Sequence, residues 1–341
     1  MNVAINGLGR IGRATLKVLK GDPTLNLVAV NDLVPIENLA YLLKFDSVYG
    51  RWDTEVTAKE SYLQIGSRTC KVLAERDPAK LPWRDLNVEL VFECTGAFRK
   101  AADLAKHTQA GAEYVILSAP VKGEDVPTVI HGVNGSAGSR VISCASCTTN
   151  CITPIMEIMG RRVGVRKAIM TTIHAYTATQ AIIDSGEHDF RRGRAAAANL
   201  VPATTGAAVA TTRALPEYKG KFDGIAIRVP VAIGSLADTV LLTSRATSVE
   251  EIKAIFCEEA STQRYRDVVA VTEEPIVSSD IIRQSVASII DLSMIRVIDE
   301  DLVKIVSWYD NEWGYANQMV REAIALAKAV TPQSGGVQQV A

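Results

Sequence analysis

Ten residues near the start of the chain constrain its fold more than any others. In V-A-I-N-G-L-G-R-I-G, residues 3–12, Gly7, Gly9 and Gly12 stand in G-x-G-x-x-G spacing directly behind an apolar run. Gly7 permits a tight turn, Gly9 lets the backbone approach a pyrophosphate, and Gly12 lets a helix pack closely on its strand. A helix opening at Arg10 aims free N–H groups and the positive end of its dipole at phosphates. Glycine turns between strand and helix are common, so a plain βα turn is the structural alternative. The context favours the nucleotide reading. A second strand over 25–31 is followed by Asp32, 20 residues past Gly12. A carboxylate there accepts hydrogen bonds from an adenosine ribose and repels a 2′-phosphate, which favours NAD over NADP.

The first half goes on alternating short apolar runs, at 90–94, 114–117 and 141–143, with helix-length segments, as a parallel doubly wound sheet requires. From Ala168 the candidate strands are longer and richer in Thr and Val, at 168–174, 224–231, 239–244 and 301–309. They point to an α+β part with a mainly antiparallel sheet. Apolar residues at helical spacing over 315–330 predict a closing helix, and the polar tail 331–341 is expected to fray. A length of 341 residues suits two domains, and 48% hydrophobic against 22% charged residues excludes disorder as the dominant state. With 37 basic and 38 acidic side chains, bulk charge gives no support for nucleic-acid binding. There is no signal-peptide pattern and no run of about 18 apolar residues. Six cysteines without paired C-x-x-C spacing argue against a disulfide framework or a metal site. A reduced, soluble, cytoplasmic protein is the expectation.

The segment S-C-A-S-C-T-T-N-C, residues 143–151, leads into a helix over 152–160. A cysteine at a helix N-terminus gains thiolate character, so Cys147 is placed to be nucleophilic. A lone cysteine is otherwise a small buried hydrophobe. Cys151, one turn on, is expected to pack, with oxidation to a bridge with Cys147 as the lesser alternative. Four histidines are candidate bases. His107 and His188 lie in polar segments and read as surface residues, and His131 ends a short strand. His174 closes the strand A-I-M-T-T-I-H, where a catalytic imidazole and a structural cap weigh equally.

Seven segments together are more specific: A-I-N-G-x-G-R-I-G, S-C-T-T-N-C, H-x-Y-T-A-T-Q, R-R-G-R-A-A-A, P-A-T-T-G-A-A, R-V-P and W-Y-D-N-E-W-G-Y. In this order, from residue 3 to about 325, the chain resembles phosphorylating glyceraldehyde-3-phosphate dehydrogenases. The resemblance implies a Rossmann-type α/β domain over 1–147, a catalytic α+β domain over 148–313, and a C-terminal helix, 314–341, returning to the first domain. It implies Cys147 as nucleophile and His174 as its base and acid. The aldehyde forms a thiohemiacetal on Cys147, hydride passes to the cofactor, and phosphate releases the thioester as an acyl phosphate. Thr177 and Arg228 would bind the substrate phosphate. Ser146, Thr148, Thr205 and Gly206 would surround the attacking phosphate, with Arg192 or its neighbours in 191–194 contributing. The alternatives are a solvated or interfacial basic turn for the arginine cluster and a structural ion pair for Arg228. Arg10 and Ile11 would lie at the pyrophosphate, Asp32 at the ribose, Arg76 near the adenosine half and Ser118 near the nicotinamide half. Asn311 would hold the carboxamide, with Tyr315 packing beside it. Trp308 and Trp313 are expected in the core. The charge of Arg10, like that of Arg228, is expected at a phosphate site. A homotetramer with small-molecule substrates is implied, its loop 181–199 packing near a neighbour's cofactor.

Three departures stand out. Cys144 occupies the usual Asn position before the nucleophile. Val231, Ala232, Ile233, Gly234 and Ser235 replace the usual run after R-V-P, in a stretch that supports the substrate-phosphate region. Ser185 and Gly186 replace a Leu-Pro pair, as in relatives that also accept NADP, whereas Leu33 speaks for NAD. The reading is NAD preferred, with appreciable NADP use left open. The rivals are an erythrose-4-phosphate dehydrogenase, which generally lacks the T-A-T-Q and T-T-G elements present here, and a non-catalytic binding protein of the same fold.

Overall fold

The computed structural model describes residues 1–136 and 138–330; the tail expected to fray lies outside the described residues. The chain opens with β1 (Asn2–Asn6), α1 (Arg10–Leu19), β2 (Asn26–Asn31) and α2 (Ile36–Lys44). A meander of β3 (Val56–Lys59), β4 (Tyr62–Ile65) and β5 (Arg68–Leu73) precedes β6 (Leu90–Glu93), α3 (Ala101–Gln109), β7 (Tyr114–Leu117) and β8 (Val141–Ser143). The eight strands form one sheet in the order β3-β4-β5-β2-β1-β6-β7-β8. Pairing is parallel from β5 across to β8 and antiparallel only in the meander. Val3, Ala4 and Ile5 are all fully buried, as a parallel sheet covered on both faces requires.

The second half begins with α4 (Cys147–Arg162) and β9 (Val165–Ala175), then β10 (Val201–Thr204), α5 (Ala207–Ala214), β11 (Phe222–Val229) and β12 (Ser235–Thr243). It ends with α6 (Val249–Ser261), β13 (Val269–Thr272), β14 (Ser288–Asp291), β15 (Arg296–Ile298), β16 (Leu302–Tyr309) and α7 (Trp313–Val330). Its sheet runs β10-β11-β9-β12-β16-β14-β13, with β15 beside β16. Only β9–β11 and β13–β14 are parallel pairs. Along β12 buried and half-buried residues alternate, so one face of this sheet meets a core. That core holds Ile152, Ile155, Met156 and Met159 of α4 against Val303 and Ile305 of β16. α7 instead joins the core of the first sheet: Tyr315, Met319, Val320 and Ala323 pack with Leu16 and Leu19 of α1. The α/β fold class is therefore the one the sequence implied, although the meander was not anticipated.

His107 is not a surface residue; it is 0% exposed. α3 turns Leu104 and His107 inward together, at helical spacing. Trp83 Nε1 donates to His107 Nδ1 at 3.0 Å, which leaves the ring hydrogen on Nε2, 3.0 Å from Glu93 Oε2. Glu93 also accepts from Asn6 Nδ2 at 2.6 Å and from both the N–H (2.8 Å) and hydroxyl of Thr95. Asn31 Nδ2 donates to Asn6 Oδ1 at 2.7 Å. Polar side chains thus tie together the ends of β1, β2 and β6 beneath the glycine turn, each donor and acceptor matched. His131 does not end a strand. It follows an isolated bridge between Thr128 and Ser143, and its Nδ1 lies 3.0 Å from Glu322 of α7. His188 is exposed, as expected.

Candidate active site

The three glycines occupy different environments. Gly7 has φ +95°, and a Cβ there would lie 2.7 Å from the Thr95 amide nitrogen. A Cβ on Gly12 would lie 1.9 Å from the Gly7 carbonyl oxygen. A Cβ on Gly9 would meet nothing within 4 Å, because this residue faces an open cleft. Gly9 is the N-cap of α1 and supplies no side-chain acceptor, so the first-turn N–H groups are left for an anion. The cleft, about 430 Å³, is lined by Gly7, Gly9, Asp32, Leu33 and Arg76 among others. Asp32 accepts from the Leu8 N–H at 2.6 Å and the Val34 N–H at 3.0 Å, which pins its carboxylate on the cleft wall with lone pairs to spare.

A second cleft, of about 570 Å³, adjoins the first across Cys94 and Thr95. It gathers Arg10, Ile11, Ser118, Asn311 and Tyr315 with Ser146, Cys147, Thr148 and His174, and also Thr177, Arg192, Thr205, Gly206 and Arg228. Residues from both sheets thus meet at one place, although up to 300 positions separate them in the chain.

Cys147 opens α4, capped by Ser146, whose Oγ accepts from the Thr149 N–H at 3.2 Å. The N–H groups of Cys147 and Thr148 are directed at the sulfur. The approach to the helix is unusual: Ala145 has φ +53°, a left-handed conformation that costs a non-glycine residue about 1–2 kcal/mol. Its neighbours fix it there. The Tyr315 hydroxyl donates to the Ala145 carbonyl at 3.0 Å, and the Ala145 N–H donates to Ser143 Oγ at 3.1 Å. Asn150 Nδ2 donates to the carbonyls of Cys144 (2.8 Å) and Ser146 (2.9 Å). Cys144 itself is buried away from the cleft.

The Cys147 sulfur lies 3.4 Å from His174 Nε2. Burial pushes the Cys147 thiol up, opposed first by the Arg228 charge and then by the hydroxyl and N–H of Thr148. Burial, then Arg228, drives the His174 imidazolium down to about 3, opposed by the Ala175 carbonyl. His174 Nδ1 is 2.7 Å from that carbonyl and 2.5 Å from Arg228 Nη1. When the Nδ1 hydrogen is bonded to the Ala175 carbonyl, which Arg228 Nη1 also reaches at 3.3 Å, the ring presents the Nε2 lone pair to the thiol; an acceptor Nδ1 facing Arg228 would instead place the hydrogen on Nε2. Proton transfer then gives a thiolate favoured by Arg228 and an imidazolium supported by Ala175. Neither charge is comfortable alone in this site, so the two form together.

Behind the pair, the Tyr309 hydroxyl lies 2.8 Å from both Thr148 Oγ1 and Thr172 Oγ1, and its ring meets His174 edge-on. The Thr148 hydroxyl thus also meets Tyr309 on its inner side, although the residue lines the cleft. Cys151 is packed in the core with its sulfur 3.2 Å from Ser307 Oγ and 3.5 Å from Ser288 Oγ, and burial pushes its thiol up to about 11. Arg228 Nε is buried without a partner among the described residues, an unspent donor at the cleft wall. Thr177 Oγ1 lies 2.9 Å from Thr179 Oγ1, which accepts from Arg192 Nη1 at 3.3 Å. Arg194 pairs with Asp184, and Arg191 faces a separate surface groove, so only Arg192 of the cluster reaches the cleft.

The Arg10 guanidinium is held by Asp46 at 2.6 Å and by Glu312 at 2.6 Å, while its backbone N–H lies in the uncapped first turn of α1. Asn311 Oδ1 accepts from the Gly234 N–H and Ser235 Oγ, both at 3.1 Å, which leaves its amide NH2 as the free end. The stretch after R-V-P therefore supports Asn311. Tyr309, Asn150 and Thr172 were missed. The only sequence signal for Tyr309 was its place in W-Y-D-N, and Asn150 sat inside the quoted S-C-T-T-N-C.

Two family models match the chain. One is described as "Glyceraldehyde 3-phosphate dehydrogenase, NAD binding domain" and matches residues 1–101. The other, described as "Glyceraldehyde 3-phosphate dehydrogenase, C-terminal domain", matches residues 146–311. Among curated relatives, glyceraldehyde-3-phosphate dehydrogenase 2 of Streptomyces avermitilis is 46% identical over 94% of this chain and 96% of its own length. Glyceraldehyde-3-phosphate dehydrogenase 1 of Bacillus subtilis is 44% identical over 96% of this chain and 98% of its own. The enzyme of Geobacillus stearothermophilus is likewise 44% identical over 96% and 98%.

Proposed function

The chain belongs to the glyceraldehyde-3-phosphate dehydrogenase family, and from that premise we propose how its own residues oxidise D-glyceraldehyde 3-phosphate with phosphate and NAD. The observation that carries the reading is the Cys147–His174 pair, 3.4 Å apart, in a cleft shared with the unspent N–H of Arg228. His174 takes the thiol proton as the Cys147 sulfur attacks the aldehyde carbon, giving a thiohemiacetal. The backbone N–H of Cys147, at the start of α4, stabilises the developing oxyanion together with the imidazolium. The imidazolium gives its proton to that oxygen, and His174, neutral again, takes it back as the carbon is oxidised to a thioester. NAD, when bound, supplies the hydride acceptor for that step. Phosphate attacks the thioester carbon, the thiolate leaves, and an acyl phosphate is released.

Gly9 and the uncapped first turn of α1 suit the cofactor's pyrophosphate, Asp32 and Arg76 its adenosine half, and Ser118, Asn311 and Tyr315 its nicotinamide end. Arg228 and Thr177 hold the substrate phosphate; Ser146, Thr205, Gly206 and Arg192 hold the attacking phosphate, with Thr148 beside them. Ser185 and Gly186 are small residues in an exposed loop, which supports testing NADP as a second cofactor. A homotetramer is supported by the apolar side chains that loop presents: Ile182 is 85% exposed and Phe190 88%. Among the described residues no helix is long and apolar enough to cross a membrane, and a cytoplasmic location fits the reaction.

The test is cofactor reduction by the purified protein with D-glyceraldehyde 3-phosphate, with and without phosphate, using NAD and NADP separately. Phosphate-dependent NADH formation that disappears in Cys147→Ser is expected. Full turnover in Cys147→Ser would overturn the mechanism.

A further inference from the structure

Residues 310–313 join β16 to α7, and the groups that hold them come from both halves of the molecule. Asp310 Oδ1 accepts from the N–H groups of Glu312 (2.9 Å) and Trp313 (2.8 Å) and from the Tyr49 hydroxyl (2.8 Å). The side-chain Oδ1 of Asn311 accepts from the Gly234 N–H and Ser235 Oγ of the second half. Glu312 is fixed by Arg10, at the start of α1: Nε is 3.0 Å from each carboxylate oxygen and Nη2 is 2.6 Å from Oε2. Arg10 Nη1 simultaneously bonds Asp46 Oδ2 at 2.6 Å, and the guanidinium lies over the Tyr49 ring, 5.5 Å from its centre.

We infer that Arg10 is a positioning residue: by clasping Glu312 and Asp46 it sets the 310–313 turn, and through it the hold of Asn311 on the nicotinamide end of the cofactor. The inference rests on the reading that NAD binds with its carboxamide at Asn311. One guanidinium bridges two carboxylates here, while Asp310 lies in the same cluster. Without it Glu312 faces Asp46 and Asp310 with no cation between them. Burial and those two carboxylates already press the Glu312 carboxyl upward, against the hold of Arg10. The turn then relaxes away from Asp46, and the Asn311 amide moves with its backbone. The pyrophosphate end is not affected in this way. It is formed by backbone N–H groups of α1, whose place is set by the packing of Gly12 and not by the Arg10 side chain.

This division predicts a split between two ligands that differ only in the nicotinamide. Calorimetric titration of wild type, Arg10→Met and Glu312→Gln with NAD and with ADP-ribose measures it. In either variant NAD binding is expected to weaken about tenfold or more, equivalent to about 1.4 kcal/mol, with ADP-ribose held within about twofold. An equal loss of both ligands overturns the inference, because Arg10 would then act at the pyrophosphate. No change in either also overturns it, because the clasp would then be a surface ion pair. If Arg10→Met does not fold, the isosteric Glu312→Gln carries the test alone. Failure of wild type to bind NAD at all would be a failure of the underlying functional reading instead.

Discussion

Arg228 acts on both members of the Cys147–His174 pair with opposite signs, since one positive charge favours the Cys147 thiolate and disfavours the His174 imidazolium. Removing it raises the pKa of both groups relative to wild type. In Arg228→Ala the pH midpoint for alkylation of Cys147 by iodoacetamide is therefore expected to rise, with a slower rate at neutral pH. An unchanged or lower midpoint would contradict the assigned electrostatics. His174→Asn, which removes the base but keeps a polar side chain, should lower kcat about 100- to 10,000-fold in steady-state assays. At this scale the sequence disclosed reactive types and not their supports. Cys147, His174 and Arg228 could be singled out by residue type and motif. Tyr309 and Asn150 act through contacts made only on folding, and a sequence does not show where a hydroxyl or an amide will point. His107 was misread because its segment is polar, yet the Leu104–His107 spacing on α3 was a signal for an inward face.

The β1–α1 turn separates a folding requirement from a binding one. A methyl group at Gly12 collides with the Gly7 carbonyl, whereas one at Gly9 occupies the open cleft in an ordinary backbone conformation with φ −64°. Gly12→Ala is expected to lower the denaturation free energy by about 1–3 kcal/mol. Gly9→Ala should leave the melting temperature within a degree or two while NAD affinity falls at least about tenfold in titration. If Gly9→Ala proves the less stable variant, the two roles have been assigned the wrong way round. The parallel core strands were legible because they read as short continuous apolar runs such as 90–94 and 114–117. The meander of β3, β4 and β5 was not, since its strands are only four to six residues long and set Lys59, Arg68 and Lys71 among their apolar positions. Its turns rely on positive φ at Glu60 and Gly66, and only the glycine carries a recognisable turn signal.

For the whole molecule, the near-neutral charge conceals cations assigned to particular partners: Arg10 to two carboxylates, Arg192 and Arg228 to the catalytic cleft. The apolar side chains between 181 and 200 are the feature a lone subunit does not account for. If they are subunit contacts, Phe190→Glu with Ile183→Glu should shift sedimentation from a tetramer to smaller species, and wild type sedimenting as a monomer would remove that reading. α7 lies against Leu16 and Leu19 of α1. That placement has a bearing on biosynthesis. Some 300 residues separate α1 from α7 along the chain, so the part of α1 that α7 covers stays bare until nearly all of the intervening chain has been made. The strands of the first sheet are complete by Ser143 but its core is closed last, which leaves apolar side chains open to misassociation in the nascent chain until α7 emerges.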